Sequence, residues 1–271
     1  MICERHTRLQ LDTVPPKKFH LHAKFHAPFP LNKTHLMNFR IAAFSISILL
    51  ASVLSAQVQN AKESDKRLPP GKGGWGVREA EVKDASLPRV LCIGDSILGG
   101  YIETVRKDLD GKANVDAWVT PVSQASGELP KAIAEILAAH KYVVIHFNLG
   151  LHGWQKGRIP DGKFEPLTQK MVDNLRAGAP QAKLIWASTT PVTVKGKPEE
   201  LSPEINPVIL DHNRMAANVM NASKVPINDL YTLMASKLAM ASGDQFHWKT
   251  EARVLQGHAV SAAILEQLPK K

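Results

Sequence analysis

The sequence predicts an α/β fold, a three-layer α/β/α sandwich around a five-stranded parallel sheet. Three observations carry that expectation. Beyond Pro88, short apolar runs alternate with segments of helical period, which is the pattern of βα units. At 271 residues, 44% of them hydrophobic, the chain can bury a full core. No internal repeat points to a solenoid. Connections between parallel strands are right-handed, so helices should cover both faces of the sheet.

The elements follow in order. Arg89 to Gly94 is the first strand, an unbroken VLCI run between Pro88-Arg89 and a Gly-Asp pair. Ile97 to Leu109 is the first helix. Asn114 to Val119 and Gly127 to His140 make the next strand and helix. Tyr142 to Phe147, the YVVIHF run, is the third strand, and Leu167 to Ala177 its helix. Lys183 to Ala187 is a fourth strand, followed by a helix at Ile205 to Ala222. Val225 to Asn228 is the fifth strand, and Thr250 to Leu268 closes the domain, which is expected to span 88–268. The segments Trp154 to Pro166 and Thr189 to Asn206 are expected loops. In such a sheet, ligands bind beyond the carboxyl ends of the strands.

The formal charge of +9 sits mostly at the front. Up to Ala56 there are seven Lys or Arg against two acids, leaving 27 bases and 23 acids behind them. That balance, with no basic stripe interleaved with aromatics, excludes nucleic acid as a partner. Met37-Asn38-Phe39-Arg40 followed by IAAFSISILLASVLSA has the basic start, apolar run and small residues of a secretory signal, expected over 37–56. A single membrane anchor is the alternative. The apolar run is shorter than the roughly 20 residues that span a bilayer, which favours a signal with no stable membrane insertion after cleavage. A secreted or periplasmic protein is therefore expected.

Residues 1–36 are then a non-functional extension, with Met37 as the start. His6, His20, His22, His26 and His35 are irregularly spaced there, without Cys or acidic ligand pairs, and give no metal site. Residues 57–87 read as a linker leading onto the domain surface. Its GKGGWG stretch follows Pro69-Pro70 rather than a strand and fails the context of a dinucleotide motif. The two cysteines, Cys3 and Cys92, fall on either side of the expected cleavage, so the mature chain has no internal disulfide.

Three features could carry chemistry. Ser96 follows the first strand and opens the first helix, a place that suits both a nucleophile and a nascent oxyanion. Asp95 or Ser96 could equally cap the helix, and Leu98 breaks the G-x-S-x-G elbow. A serine nucleophile needs a base, and the base an orienting acceptor. Asp244 and His247, three apart before the last helix, could supply both, or could themselves be capping residues. Asn148, just after the third strand, could aim an amide into the same crevice or serve a turn with Gly150. A zinc site from His146, His152 and Asp211 or His212 lacks any ligand-spacing motif.

Gly94-Asp95-Ser96, Asn148 in NLGLH, and Asp244-x-x-His247 before a terminal helix together resemble the blocks of the SGNH (GDSL-type) hydrolases. Ser188-Thr189-Thr190-Pro191-Val192, Asn213 and Val225-Pro226-Ile227-Asn228-Asp229-Leu230-Tyr231 resemble a carbohydrate-esterase-like branch. The resemblance implies a flavodoxin-like sandwich and hydrolysis of acyl esters, O-acetyl on carbohydrate above all, with no cofactor and no metal. It assigns Ser96 as nucleophile, His247 as base and Asp244 as its partner. The oxyanion hole would be the Ser96 amide, the Gly127 amide (or Ser126, one place earlier) and the Asn148 side chain. Substrates would be acylated small molecules or polysaccharides. Trp154 and Trp248 would stack on a sugar or serve packing. A lipid or aryl acylhydrolase, or a noncatalytic carbohydrate-binding domain on the same scaffold, is the alternative.

Overall fold

The structure is a computed structural model, and it describes residues 75–270. The expectations for 1–36, for the signal at 37–56 and for the linker up to residue 74 lie outside the described residues.

The main sheet has six strands: β1 (Gly76–Arg78), β2 (Arg89–Gly94), β3 (Asn114–Val119), β4 (Tyr142–Phe147), β5 (Lys183–Ala187) and, after a small hairpin, β8 (Ile227–Asn228). They lie in the order β1-β3-β2-β4-β5-β8. All neighbours are parallel except β1, which pairs antiparallel with β3. The five expected strands are therefore joined by one antiparallel edge strand. It was not legible because three residues, with Val77 exposed between half-buried neighbours, make no apolar run.

Alternate residues of β2 serve opposite faces, as the period of two requires. Leu91 and Ile93 join a cluster with residues of α2 (Leu129–Ala139), α3 (Phe164–Gly178) and α4 (Asn206–Ala222), among them Ile133, Leu175 and Val219. Val90 and Cys92 join Leu98, Ile102 and Val105 of α1 (Ser96–Asp108) and Val260 and Ile264 of α6 (Thr250–Gln267). Burying each such side chain contributes roughly 1.5–3 kcal/mol, so both layers are held by the same strands. α6 lies at backbone distance from α1: a Cβ on Gly257 would meet the Thr104 Cβ at 2.5 Å and the Tyr101 carbonyl at 3.2 Å.

Among the described residues Asp116 is the one carboxylate buried within the strands, and every bond it needs is made. It accepts from Arg89 Nε at 2.7 Å, Arg89 Nη2 at 2.9 Å, the Tyr142 hydroxyl at 2.9 Å and the Ala80 amide at 2.8 Å. Burial, then the Asp116 charge, pushes the Tyr142 hydroxyl well up. Asn114 Nδ2 donates to the Asp84 carbonyl at 2.9 Å. The described part of the linker is thus pinned along β3.

A hairpin and a short helix lie in segments with no apolar period to reveal them. β6 (Thr193–Val194) and β7 (Lys197–Leu201) form an antiparallel hairpin in the expected loop 189–206, turning at Gly196 with φ +79°. α5 (Leu230–Ala235) follows β8, capped by Asp229 accepting from the Thr232 amide.

Candidate active site

The carboxyl edge of the sheet gathers the expected residues. β2 ends at Gly94, and Asp95 caps α1 by accepting the Ile97 amide at 2.9 Å. The capping alternative thus holds for Asp95, and it leaves Ser96 as the first helical residue with its hydroxyl unspent. The Asn148 amide donates to the Ile93 carbonyl at 2.9 Å, which continues the β2–β4 ladder and puts residue 148 beside this turn.

His247 reaches Ser96 from 151 positions away: its Nε2 lies 2.9 Å from the Ser96 Oγ. Its Nδ1 lies 2.6 Å from Asp244 Oδ2. A carboxylate can only accept, so Nδ1 carries the proton and Nε2 is free to accept from the serine hydroxyl. Asp244 Oδ1 in turn accepts from the His247 amide at 2.8 Å, the Phe246 amide at 3.1 Å and the Ser242 hydroxyl at 2.9 Å. Burial acts to raise the Asp244 carboxyl, but the His247 amide and ring, the Ser242 hydroxyl and the imidazole charge outweigh it and hold it at about 2.

The loop carrying this pair is held from both sides. Gly243 and Gln245 both have φ of +91°, a region that side chains other than glycine rarely adopt. The β6–β7 hairpin fixes both: the Thr193 amide donates to the Gln245 carbonyl at 3.0 Å and the Gly196 amide to the Gly243 carbonyl at 2.8 Å. Behind the loop, Trp248 is buried among Met234, Ala241 and Ala252, with its indole donating to Thr190 Oγ1 at 3.3 Å. Trp248 is a packing residue here. Trp154 stays half-buried and packs on Phe246, with ring centroids 6.3 Å apart.

Asn148 is bonded at both ends of its side chain. Nδ2 donates to the Ala187 carbonyl at 2.5 Å and to Thr189 Oγ1 at 3.1 Å, while Oδ1 accepts the Gly150 amide at 2.9 Å. Gly150 has to be glycine, since a Cβ there would stand 1.9 Å from Thr189 Oγ1. Asn148, Asp95, Ser188 and Thr189 share a cavity of about 20 Å³ behind the serine. A larger cleft of about 210 Å³ opens in front of it, where Ser96 and His247 meet Trp75, Arg78 and Arg253. Gly127 lies in the exposed turn before α2 and lines neither space.

Asp95 is buried, its Oδ2 without a hydrogen-bond partner. Burial raises its carboxyl, while His152, the Ile97 amide and His247 pull it back. His146 lies inside β4 against Asn228 Nδ2 at 3.2 Å, and burial pushes it down to about 3. His212 stacks on Phe164 with centroids 4.0 Å apart. Among the described residues no three His, Cys, Asp or Glu are grouped to hold a metal ion. No helix among them is long and apolar enough to cross a membrane.

Sequence reasoning passed over Arg78 and Arg253. Arg253 falls in the first turn of α6, six residues after His247, and that placement was the available signal.

No protein-family model matches this sequence, and no curated protein matches it. Solved structures do. The acetyl xylan esterase AlAXEase superposes with a TM-score of 0.56 at 15% identity, over 65% of this chain and 99% of its own. A carbohydrate acetylesterase from Sinorhizobium meliloti gives 0.53 at 15% identity, over 67% of this chain and all of its own. The lipase/acylhydrolase from Enterococcus faecalis gives 0.54 at 19% identity, over 68% and 100%. The sandwich described here is the fold that these esterases and acylhydrolases share.

Proposed function

We propose that this chain is a secreted serine esterase that removes acyl groups, O-acetyl above all, from carbohydrate. The observation that carries the reading is the unbroken chain from Ser96 Oγ through His247 to Asp244, at 2.9 and 2.6 Å, standing at the mouth of an open cleft. The solved structures of the same fold include an acetyl xylan esterase and a carbohydrate acetylesterase, which supports the acetyl and carbohydrate parts.

In this mechanism His247 Nε2 takes the hydroxyl proton as Ser96 Oγ attacks the ester carbonyl carbon. The tetrahedral oxyanion is met by the Ser96 amide, at the start of α1, and by Asn148 Nδ2. Asn148 trades its longer bond, to Thr189 Oγ1, for the oxyanion. The Gly127 amide is the third donor of the resemblance, and with Gly127 exposed in its turn the load falls on the other two. His247 then gives the proton to the departing alcohol. Water, deprotonated by His247, attacks the acyl-enzyme, and the acid leaves with Ser96 restored. Asp244 stays ionised throughout and holds the imidazole in the required tautomer.

Acetate release from acetylated polysaccharides, beside short and long aryl esters, tests the reading. Ser96→Ala is expected to abolish release, and an active-site phosphonate to label Ser96 alone. A folded wild-type protein that neither labels nor releases acid would instead be a binding domain. Export rests on the pattern at 37–56. The exported protein should begin near Gln57, and a product retaining Met37 would be an anchored one.

A further inference from the structure

A helix cap needs one side-chain oxygen, and serine, asparagine and aspartate supply it about equally well. Asp95 spends only Oδ1 on that task, accepting the Ile97 amide at 2.9 Å. Its Oδ2 is buried and has no partner among the described residues, although the residue is only 3% exposed. A buried acceptor left unpaired is costly, so capping alone does not account for a carboxylate here.

The cavity behind the serine brings Asp95 together with Asn148 and Thr189. Ser188 lines it too, but its hydroxyl hydrogen goes to Asp229 Oδ1 at 2.8 Å. Thr189 differs. Its Oγ1 accepts from Asn148 Nδ2 at 3.1 Å, while its own hydrogen finds no acceptor among the described residues. One wall therefore offers a hydroxyl hydrogen and another a carboxylate oxygen. Tyr101 and Thr190 add two more hydroxyl groups to the same lining. The volume of about 20 Å³ suits one water molecule, which needs roughly 10–15 Å³ and two to four polar partners.

Resting on the esterase reading above, we propose that this cavity is a binding site for a single ordered water, which accepts from the Thr189 hydroxyl and donates to Asp95 Oδ2. Asp95 is thereby a positioning residue for the oxyanion hole. When Asn148 Nδ2 gives up Thr189 Oγ1 to meet the oxyanion, Thr189 stays bonded through its own hydrogen. Without the water, the same movement leaves a buried hydroxyl with no bond at all, and the cost falls on the transition state.

A high-resolution crystal structure of the wild-type protein tests the site directly. One ordered water within about 3 Å of both Asp95 Oδ2 and Thr189 Oγ1 is expected; a cavity without it, or a water that touches only one of the two, overturns the proposal. Kinetics test the role. Asp95→Ser keeps a cap for α1 but removes Oδ2, and should lower kcat on 4-nitrophenyl acetate about tenfold with KM little changed. Asp95→Asn keeps a polar atom for the water and should recover most of that loss. With Thr189→Val already in place no hydroxyl is left to hold, so adding Asp95→Ser should change kcat by less than about twofold. Asp95→Thr, which also caps, repeats the comparison if Asp95→Ser does not fold.

Normal kcat in Asp95→Ser would reduce Asp95 to a cap. An equal loss with and without the Thr189 hydroxyl would separate the two residues. A loss in Asp95→Asn as deep as in Asp95→Ser would assign the effect to the carboxylate charge rather than to a bridging water. Each of these overturns the proposal and leaves the esterase standing. A wild type that hydrolyses no ester and takes no phosphonate on Ser96 brings down the esterase reading, and the role of Asp95 with it.

Discussion

Asn213 grips Thr189 through both ends of its amide: the Thr189 amide donates to Asn213 Oδ1 and Asn213 Nδ2 donates to the Thr189 carbonyl, each at 2.8 Å. Thr189 in turn presents its hydroxyl to Asn148. Asn213 is thus a positioning residue two steps from the proposed oxyanion. Asn213→Ala is expected to lower kcat on 4-nitrophenyl acetate about tenfold with KM little changed, and to cost about 1–3 kcal/mol in denaturant unfolding through the unsatisfied Thr189 groups. An Asn213→Ala enzyme with normal kcat would confine this residue to packing.

Asn148→Ala should fold and lose about 10² to 10³ in kcat, the usual toll of one oxyanion donor. A loss confined to KM would move Asn148 from the transition state to ground-state binding.

Asp244→Asn replaces an acceptor facing Nδ1 by a group that can donate, which favours the wrong imidazole tautomer. A fall in kcat of about 10³ to 10⁴ is expected. The same carboxyl has a stability signature. Its folded value of about 2 lies below the unfolded one of 3.8, so its contribution is complete above about pH 4 and is lost as pH falls through 2. Wild type and Asp244→Asn should therefore converge in acid-unfolding curves below pH 3.

His146 has the opposite charge chemistry but the same direction. Burial lowers it from 6.5 to about 3, so between those values the unfolded chain binds a proton that the folded one refuses. Stability is full above pH 6.5 and is eroded as pH falls towards 3, on the order of 4 kcal/mol in all. Urea midpoints measured from pH 7 to 4 should fall more steeply in wild type than in His146→Gln. Parallel curves would mean that the ring charges inside the sheet.

Asp116→Ala strips the acceptor from a half-buried guanidinium, a buried hydroxyl and the Ala80 amide at once. About 3–5 kcal/mol of destabilisation is expected by chemical denaturation. Because the site lies at the far end of β2 from Ser96, the folded fraction should keep its turnover on 4-nitrophenyl acetate.

The sequence made the parallel strands legible because they are buried on both faces and so appear as continuous apolar runs, as in YVVIHF. β1 and the β6–β7 hairpin escaped for the converse reason: Lys197–Leu201 is largely exposed and carries two glutamates and a lysine, so no period marks it. Ser96, Asp244 and His247 could be named because chain order and element ends constrain where they meet. Thr189 and Arg253 could not be given roles in advance, since their positions depend on the packing of α4 beside the sheet and of α6 on α1. Trp248 illustrates the limit for aromatics, whose residue type does not distinguish a sugar platform from a core plug.

The close seat of Gly257 on α1 has a consequence for the order of assembly. Ser96 is placed as soon as β2 and α1 form, but its histidine stands at the threshold of the last helix, 151 residues on. Contacts of such long separation form late. A nascent chain can therefore complete its sheet and display the serine while still inert, and esterase activity during refolding would time the docking of the final helix rather than the collapse of the core.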